Sequence, residues 1–241
     1  MPRRPTAIAA VVHLIFSIVA LGAAPTQAQS LSDLANTAQA TGSGLFGSTE
    51  FESNSLAALP QWRRVLGRMR KERLAFERCA AKAADCTSAT QRSWRDLITD
   101  AAGRDRKARL QAVNRFFNRW PYKLDQELYG VSEYWASPSE FMMRSGDCED
   151  YAIAKFFALR QLGFDNDSMR IVILWDEIRA IGHAVVVVYE PEGTLVLDSL
   201  SRLIVPHSRY GHYIPQYSMN ETTRWSHIHQ KKIPQVWAQR N

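Results

Sequence analysis

Gly146-Asp147-Cys148-Glu149-Asp150-Tyr151 places a cysteine at the start of an apolar helix that runs from Tyr151 to Leu162 and stops at Gly163. Backbone N–H groups at a helix start have no intrahelical partner, and the helix dipole favours negative charge there. A thiol in that position can be held as thiolate, the form that attacks a carbonyl carbon. A cysteine on a helix is more often a small buried hydrophobe, so the chemical reading needs partners. Two strand-like runs follow, one opening with His183 and one carrying Asp198. Cysteine, histidine and aspartate in that order supply a nucleophile, a base and a group that orients the base, as acyl transfer requires.

The spacing of those partners makes a geometric demand. Met169 to Trp175, His183 to Tyr189 and Thr194 to Leu200 are β-rich runs, and Glu190 to Gly193 supplies a turn that makes the last two a hairpin. A turn at Pro191-Glu192 pairs His183 with Leu200 and Val185 with Asp198. His183 and Asp198 then share a face as diagonal neighbours, with Cβ atoms ~7–8 Å apart or less. A one-residue slip would put them on opposite faces. In this arrangement Cys148 attacks, His183 holds the thiolate as an ion pair and protonates the leaving amine, and Asp198 fixes the imidazole. The Cys148 N–H is a candidate oxyanion donor; the sequence offers no second one.

Upstream of the cysteine the pattern is helical. Helices are expected over Gln61–Ala84, Ser88–Ala102 and Asp105–Arg119, the last ended by Trp120-Pro121-Tyr122. Ser137-Pro138-Ser139-Glu140 is a capping box with proline at the first helical position, predicting a short helix through Met143. Residues 29–60 carry Gly, Ser and Asn punctuation and read as a leader wrapping the domain. The expectation is one α+β domain over residues 29–241, helical over about 61–163, with an antiparallel sheet over about 169–205.

Residues 1–28 read as a signal peptide. Arg3 and Arg4 are followed by the apolar stretch Ala7–Leu21 and by Thr26-Gln27-Ala28 as a small-residue cleavage site, so export with cleavage is expected. The net charge of +6 drops by two without those arginines, too mild a balance to argue for nucleic acid. The run Arg63, Arg64, Arg68, Arg70, Lys71, Arg73 lies over Trp62, Val65, Leu66, Met69 and Phe76 at helical spacing, which describes a solvated helix face. Of the three cysteines, Cys79 and Cys86 would sit ~10 Å apart on one straight helix, too far to bridge. A turn through Ala83, Ala84 and Asp85 would bring them together, so their pairing stays open. Cys148 is left without a partner, as a reactive thiol would be.

Asp147, Glu149 and Asp150 complicate the site. Acidic residues suit a helix start, yet three carboxylates beside a thiol disfavour the thiolate. A bound hard cation would offset them, and an oxygen-only set suits Ca²⁺ rather than structural zinc. The residues alone leave the metal open.

Gly-Asp-Cys-Glu-Asp-Tyr-Ala-Ile-Ala-Lys, with Gly-His-Ala-Val and Val-Leu-Asp-Ser downstream, resembles the bacterial transglutaminase-like cysteine proteinases, and more narrowly their LapG-type periplasmic members. Leu59-Pro60-Gln61-Trp62 and the Trp135–Glu140 segment fit the same pattern. The resemblance implies a papain-like, transglutaminase-type fold with Cys148 as nucleophile, His183 as base and Asp198 as third member. It implies Ca²⁺ dependence, with the flanking acids falling on Asp147 and Glu149. It further implies cleavage of the N-terminal region of a large surface adhesin, typically between two alanines, and sequestration by an inner-membrane receptor for cyclic di-GMP. The nucleotide binds that receptor, so no nucleotide site is expected on this chain. The alternatives are a transglutaminase or amidase using the same three residues on another exported substrate, and a calcium-responsive binding module without activity.

Overall fold

The computed structural model describes residues 44–229, so the expected signal peptide lies outside the described residues. Strand β1 (Ser48–Ser53) comes first. Six α-helices follow: α1 (Pro60–Ala81), α2 (Ala89–Ala102), α3 (Arg106–Phe117), α4 (Asp125–Tyr129), α5 (Pro138–Arg144) and α6 (Cys148–Gln161). The remaining strands are β2 (Met169–Asp176), β3 (Ile181–Glu190), β4 (Gly193–Leu197), β5 (Val205–Pro206), β6 (Tyr213–Met219) and β7 (Arg224–His229). They form one antiparallel sheet in the order β1-β7-β6-β2-β3-β4-β5. This is the expected α+β arrangement.

Local chemistry sets the helix starts. Ser88 Oγ accepts from Gln91 N at 3.1 Å, and Asp105 Oδ1 accepts from Ala108 N at 2.8 Å. Ser137 and Glu140 form the expected reciprocal box ahead of α5. The arginine-rich face of α1 is a helix face, and Trp62, Val65, Met69 and Phe76 are buried beneath it. Two of its arginines reach neighbours: Arg68 pairs with Glu140 at 2.9 Å, and the Arg64 guanidinium lies 4.0 Å from the Tyr134 ring centroid. After α1 the chain extends at Lys82 and tightens into a 3₁₀ turn at Ala83–Asp85. That turn brings the Cα atoms of Cys79 and Cys86 to 4.5 Å, and the two form a disulfide.

The hairpin register is the one the site demands. Glu190 pairs with Gly193, and the ladder runs to Val186 opposite Leu197. One face of the sheet packs on the helices: Ala184, Val186 and Val188 of β3 join Trp62, Trp94, Phe117, Phe141, Phe156 and Phe157 in the main core. On the other face Leu45, Phe46, Val172, Leu174, Val185, Val187, Val196 and Tyr213 form a second core. Burial on both faces explains why His-Ala-Val-Val-Val-Val-Tyr reads as a continuous apolar run.

Three expectations are corrected. The segment 29–60 is not only a leader, because β1 within it pairs with β7. The sheet does not stop near residue 205: β6 and β7 extend it, and β6 was hidden because Pro215 interrupts its pattern where its register with β2 shifts. The strand expected over Thr194–Leu200 ends at Leu197, because the Asp198 carboxylate accepts from Leu200 N at 2.8 Å and turns the chain.

His227 ties β7 to its neighbours. Ser48 Oγ donates to Leu45 O, so it accepts from His227 Nδ1 at 2.7 Å, and Ser218 Oγ then donates to Nε2 at 2.8 Å. Burial favours this neutral imidazole and pushes its pKa down from 6.5 to about 4, against the opposing pull of Glu50. The unfolded histidine takes up its proton near pH 6.5 while the folded one stays neutral, so stability should fall as pH drops from 6.5 towards 4. The loss should be roughly 1–3 kcal/mol in urea unfolding and should flatten in His227→Gln. Replacing both Cys79 and Cys86 with serine should cost ~2 kcal/mol in the same assay, from the loop entropy the disulfide removes.

Candidate active site

Cys148 is the first residue of α6. Asp147 caps the helix by accepting from Asp150 N, and Asp150 Oδ2 accepts in return from Asp147 N at 3.3 Å. The other Asp150 oxygen accepts from Ala136 N at 2.6 Å. A Cβ on Gly146 would collide with this carboxylate, so only glycine fits there. Gly146 also bridges to Tyr122, and its carbonyl accepts from Lys123 N at 2.9 Å.

The thiol is half-buried and free. Its Sγ donates to Glu149 Oε2 at 3.2 Å rather than to His183. Burial raises the thiol well above its ordinary range, the charges of Glu149 and Asp147 raise it further, and the Ala184 N–H pulls it back. Ala184 follows His183 on β3, so the thiol lies against the strand that carries the histidine. Tyr122 also faces it, with its ring stacked 6.2 Å from Tyr151.

His183 and Asp198 are brought together and are both buried. His183 Nε2 lies 2.9 Å from Asp198 Oδ1. Asp198 Oδ2 accepts from the Tyr213 hydroxyl at 2.7 Å, and the His183 and Tyr213 rings meet edge to face at 5.8 Å. These donors hold the Asp198 carboxyl below its ordinary range although burial works the other way. The turn is clamped from behind, because Asn118 Nδ2 donates to Asp198 O and to Ser201 O at 2.9 Å each. Tyr213 and Asn118 were not legible as site residues, since their runs of sequence carry no motif.

The acidic residues converge, with an addition. Asp125, at the start of α4, places a carboxylate oxygen within 4.8 Å of oxygens from Asp147 and Asp150; Asp147, Cys148 and Glu149 form a second such group. Burial and mutual repulsion push Glu149 up to about 9 and Asp125 up to about 6, and they raise Asp147 and Asp150 as well. Asp125 Oδ1 and Asp147 Oδ1 are buried with no hydrogen-bond partner. Buried, orphaned carboxylate oxygens in a cluster of like charge fit a hard cation such as Ca²⁺. Asp125, Asp147 and Glu149 have oxygens to give such an ion, whereas both Asp150 oxygens already accept from backbone N–H groups. Asp147 lies twenty-two positions after Asp125, so no spacing rule could have joined them.

Known proteins are similar to this chain. The family described as bacterial transglutaminase-like cysteine proteinase, BTLCP, matches residues 71–233. Calcium-bound LapG of Legionella pneumophila is 34% identical, with a TM-score of 0.55, covering 63% of this chain and 87% of that one. The EGTA-treated form of LapG is 33% identical at the same TM-score, with 63% and 85% covered. No curated protein matches the chain. The match over most of the described residues shows that this chain belongs to the bacterial transglutaminase-like cysteine proteinases and is a cysteine protease of the LapG type.

Proposed function

We propose that the chain is a calcium-dependent periplasmic endopeptidase that cuts the N-terminal region of a large surface adhesin and so releases it, under the control of an inner-membrane cyclic di-GMP receptor. The observation that carries the reading is a free helix-start thiol against the strand that carries His183, whose imidazole meets the buried Asp198 carboxylate. The chain has three cysteines, and two are spent in the disulfide. A cysteine protease needs a thiolate, and Cys148 is the thiol that remains.

The residues divide the work. Cys148 attacks the acyl carbonyl through Sγ, and its own N–H, unpaired at the helix start, can donate to the oxyanion. His183 accepts the thiol proton and returns it to the leaving amine. Asp198 receives Nε2, which leaves Nδ1 for the thiol proton, and the Tyr213 hydroxyl and Leu200 N–H hold the carboxylate still. Calcium held by Asp125, Asp147 and Glu149 would supply positive charge to offset the carboxylates around the thiol. The neighbouring calcium-bound LapG supports that reading. Support for the adhesin, the receptor and the periplasm comes from membership of the LapG-type group and from the signal-like N-terminus.

Incubating the protein with the N-terminal fragment of a large adhesin from the same genome tests the proposal. Cleavage at one site with calcium, none with chelator and none with Cys148→Ala is the expected result. Cross-linked rather than hydrolysed product would move the assignment to a transglutaminase. Asp147→Ala and Glu149→Ala should each abolish metal-dependent cleavage while circular dichroism stays native. Full activity of both variants in chelator would remove calcium from the mechanism.

A further inference from the structure

Strand β4 stops at Leu197, opposite Val186, while β3 reaches back to Ile181. Residues Ile181 to Val185 therefore pair with β2 alone among the described residues. The two hairpins fix which backbone groups this leaves over. Hydrogen-bonded and non-hydrogen-bonded positions alternate along an antiparallel pair. The tight turn Pro191-Glu192 closes β3 on β4 with Glu190 opposite Gly193, so even-numbered residues of β3 aim their N–H and C=O groups at β4. The turn over 177–180 closes β2 on β3 with Asp176 opposite Ile181, so odd-numbered residues aim theirs at β2. Beyond the end of β4, the groups of Gly182 and Ala184 face an edge that no strand fills. The thiol of Cys148 meets the Ala184 N–H. Gly182 has no strand partner on that side.

Nothing within the fold requires glycine at 182. Its φ is not positive, it is exposed, and a Cβ built on it meets nothing within 4 Å. Glycine inside a strand weakens it, and such a glycine marks a place where a ligand or another backbone comes close. The direction a side chain would take shows what it would obstruct. Side chains alternate between the faces of a strand, so one at 182 would stand on the face of Ala184, which is the face on which Cys148 packs. It would also stand beside Trp175, the exposed residue opposite Gly182 on β2. Gly182 lies two residues from Ala184, ~7 Å by the strand rise of ~3.4 Å per residue. An extended chain attacked at the thiol reaches that edge within two residues of its scissile carbonyl.

We propose that the substrate adds to β3 as an extended strand at Gly182, its main chain pairing with the free N–H and C=O there, and that residue 182 lacks a side chain to admit it. The inference rests on the assignment of Cys148 as nucleophile proposed above. The half of the substrate held in this way is the acyl half. That half stays on the enzyme through both acylation and deacylation, whereas the amine half leaves after the first step. Main-chain pairing at a sheet edge supplies affinity without regard to side chains, as in other strand-addition sites. The ligand class is thus an unfolded peptide segment rather than a folded surface.

Gly182→Val and a set of peptide reagents, used on the calcium-loaded protein, test this. Valine suits an exposed strand position, so the melting temperature should stay level or rise. Iodoacetamide has no main chain to pair and should alkylate Cys148 in the variant within twofold of the wild-type rate. Acetyl-trialanyl chloromethyl ketone, which alkylates the same thiol but carries three peptide N–H groups, should react at least tenfold more slowly with the variant. A rate within threefold of wild type overturns the proposal. Where the variant does not fold or loses its reaction with iodoacetamide, the wild type decides alone, with three forms of the reagent each N-methylated at one alanine. An extended chain turns alternate N–H groups to the edge, so adjacent positions should differ at least tenfold. Equal rates at all three, or equal losses, overturn the proposal. The two levels of inference separate cleanly. If iodoacetamide leaves Cys148 of the wild type no more reactive than in the urea-unfolded chain, the assignment of the nucleophile fails and this inference with it. If Cys148 reacts and the peptide set shows neither effect, only the role of Gly182 fails.

Discussion

The carboxylate of Asp150 holds the nucleophile where it is. One oxygen caps the start of α6 through Asp147 N, and the other fixes the preceding loop at Ala136 N. The carboxylate lies against Gly146, which must lack a side chain to admit it. Four backbone positions are thus tied to one buried group: the loop before α5, the tight entry into α6, the cap residue and the first turn. Cys148 sits between the cap and that turn, so its Cα has little freedom. The turn that delivers it is itself constrained, with Ser145 at a positive φ of 72°. Helices α2 and α3 start on a single serine or aspartate cap, and α1 and α4 start without a side-chain cap.

That anchoring concentrates charge. Carboxylate oxygens of Asp125, Asp147 and Asp150 approach within 4.8 Å. At that separation two full negative charges repel by about 3 kcal/mol even at an effective dielectric of 20. Hydrogen bonds quench Asp150 but leave one oxygen each on Asp125 and Asp147 unmet. The β side of the site solves the same problem differently. Asp198 is as buried as Asp150, yet it stays low because His183, Leu200 N–H and Tyr213 all present protons to it. The site therefore joins a strand half that is electrostatically complete to a helix half that is not. The incomplete half is the one whose charges bear on the thiol, which makes it the natural point of control.

How much of this was legible in the sequence follows from range. The cap, the proline at the start of α5 and the β3–β4 register all depend on residues within a few positions of one another, and the chain writes them directly. The hairpin pairing of Glu190 with Gly193 follows from the turn alone. Contacts across the fold were not readable. Asp125 joins the acidic group through tertiary packing, and Tyr213 reaches Asp198 from a strand whose pattern Pro215 breaks. Strand β1 is rich in polar residues because it is a sheet edge, so its sequence resembles a loop. Asp198 lies against His183, as the register demands, but the strand expected through Leu200 runs three residues too far, since the Asp198 side chain ends the ladder it was expected to extend.

Helix packing sets the distance between nucleophile and base, because the two ride on different elements. α6 packs on β3, and Ala184, Val186 and Val188 of the strand and Ala152, Ala154 and Ala158 of the helix are buried in the same core. Small residues on both sides let helix and strand approach closely, and Ala184 does so where its N–H meets the thiol. A larger side chain at 184 would lift the start of α6 away from the strand and carry Cys148 with it, while leaving His183 bound to Asp198. The four consecutive valines that follow do not have this duty and can be bulky, since they fill two cores. The Gly-His-Ala-Val sequence is therefore more than a histidine with neighbours. The alanine fixes how near the helix comes, and the valines make the strand rigid enough for that distance to hold.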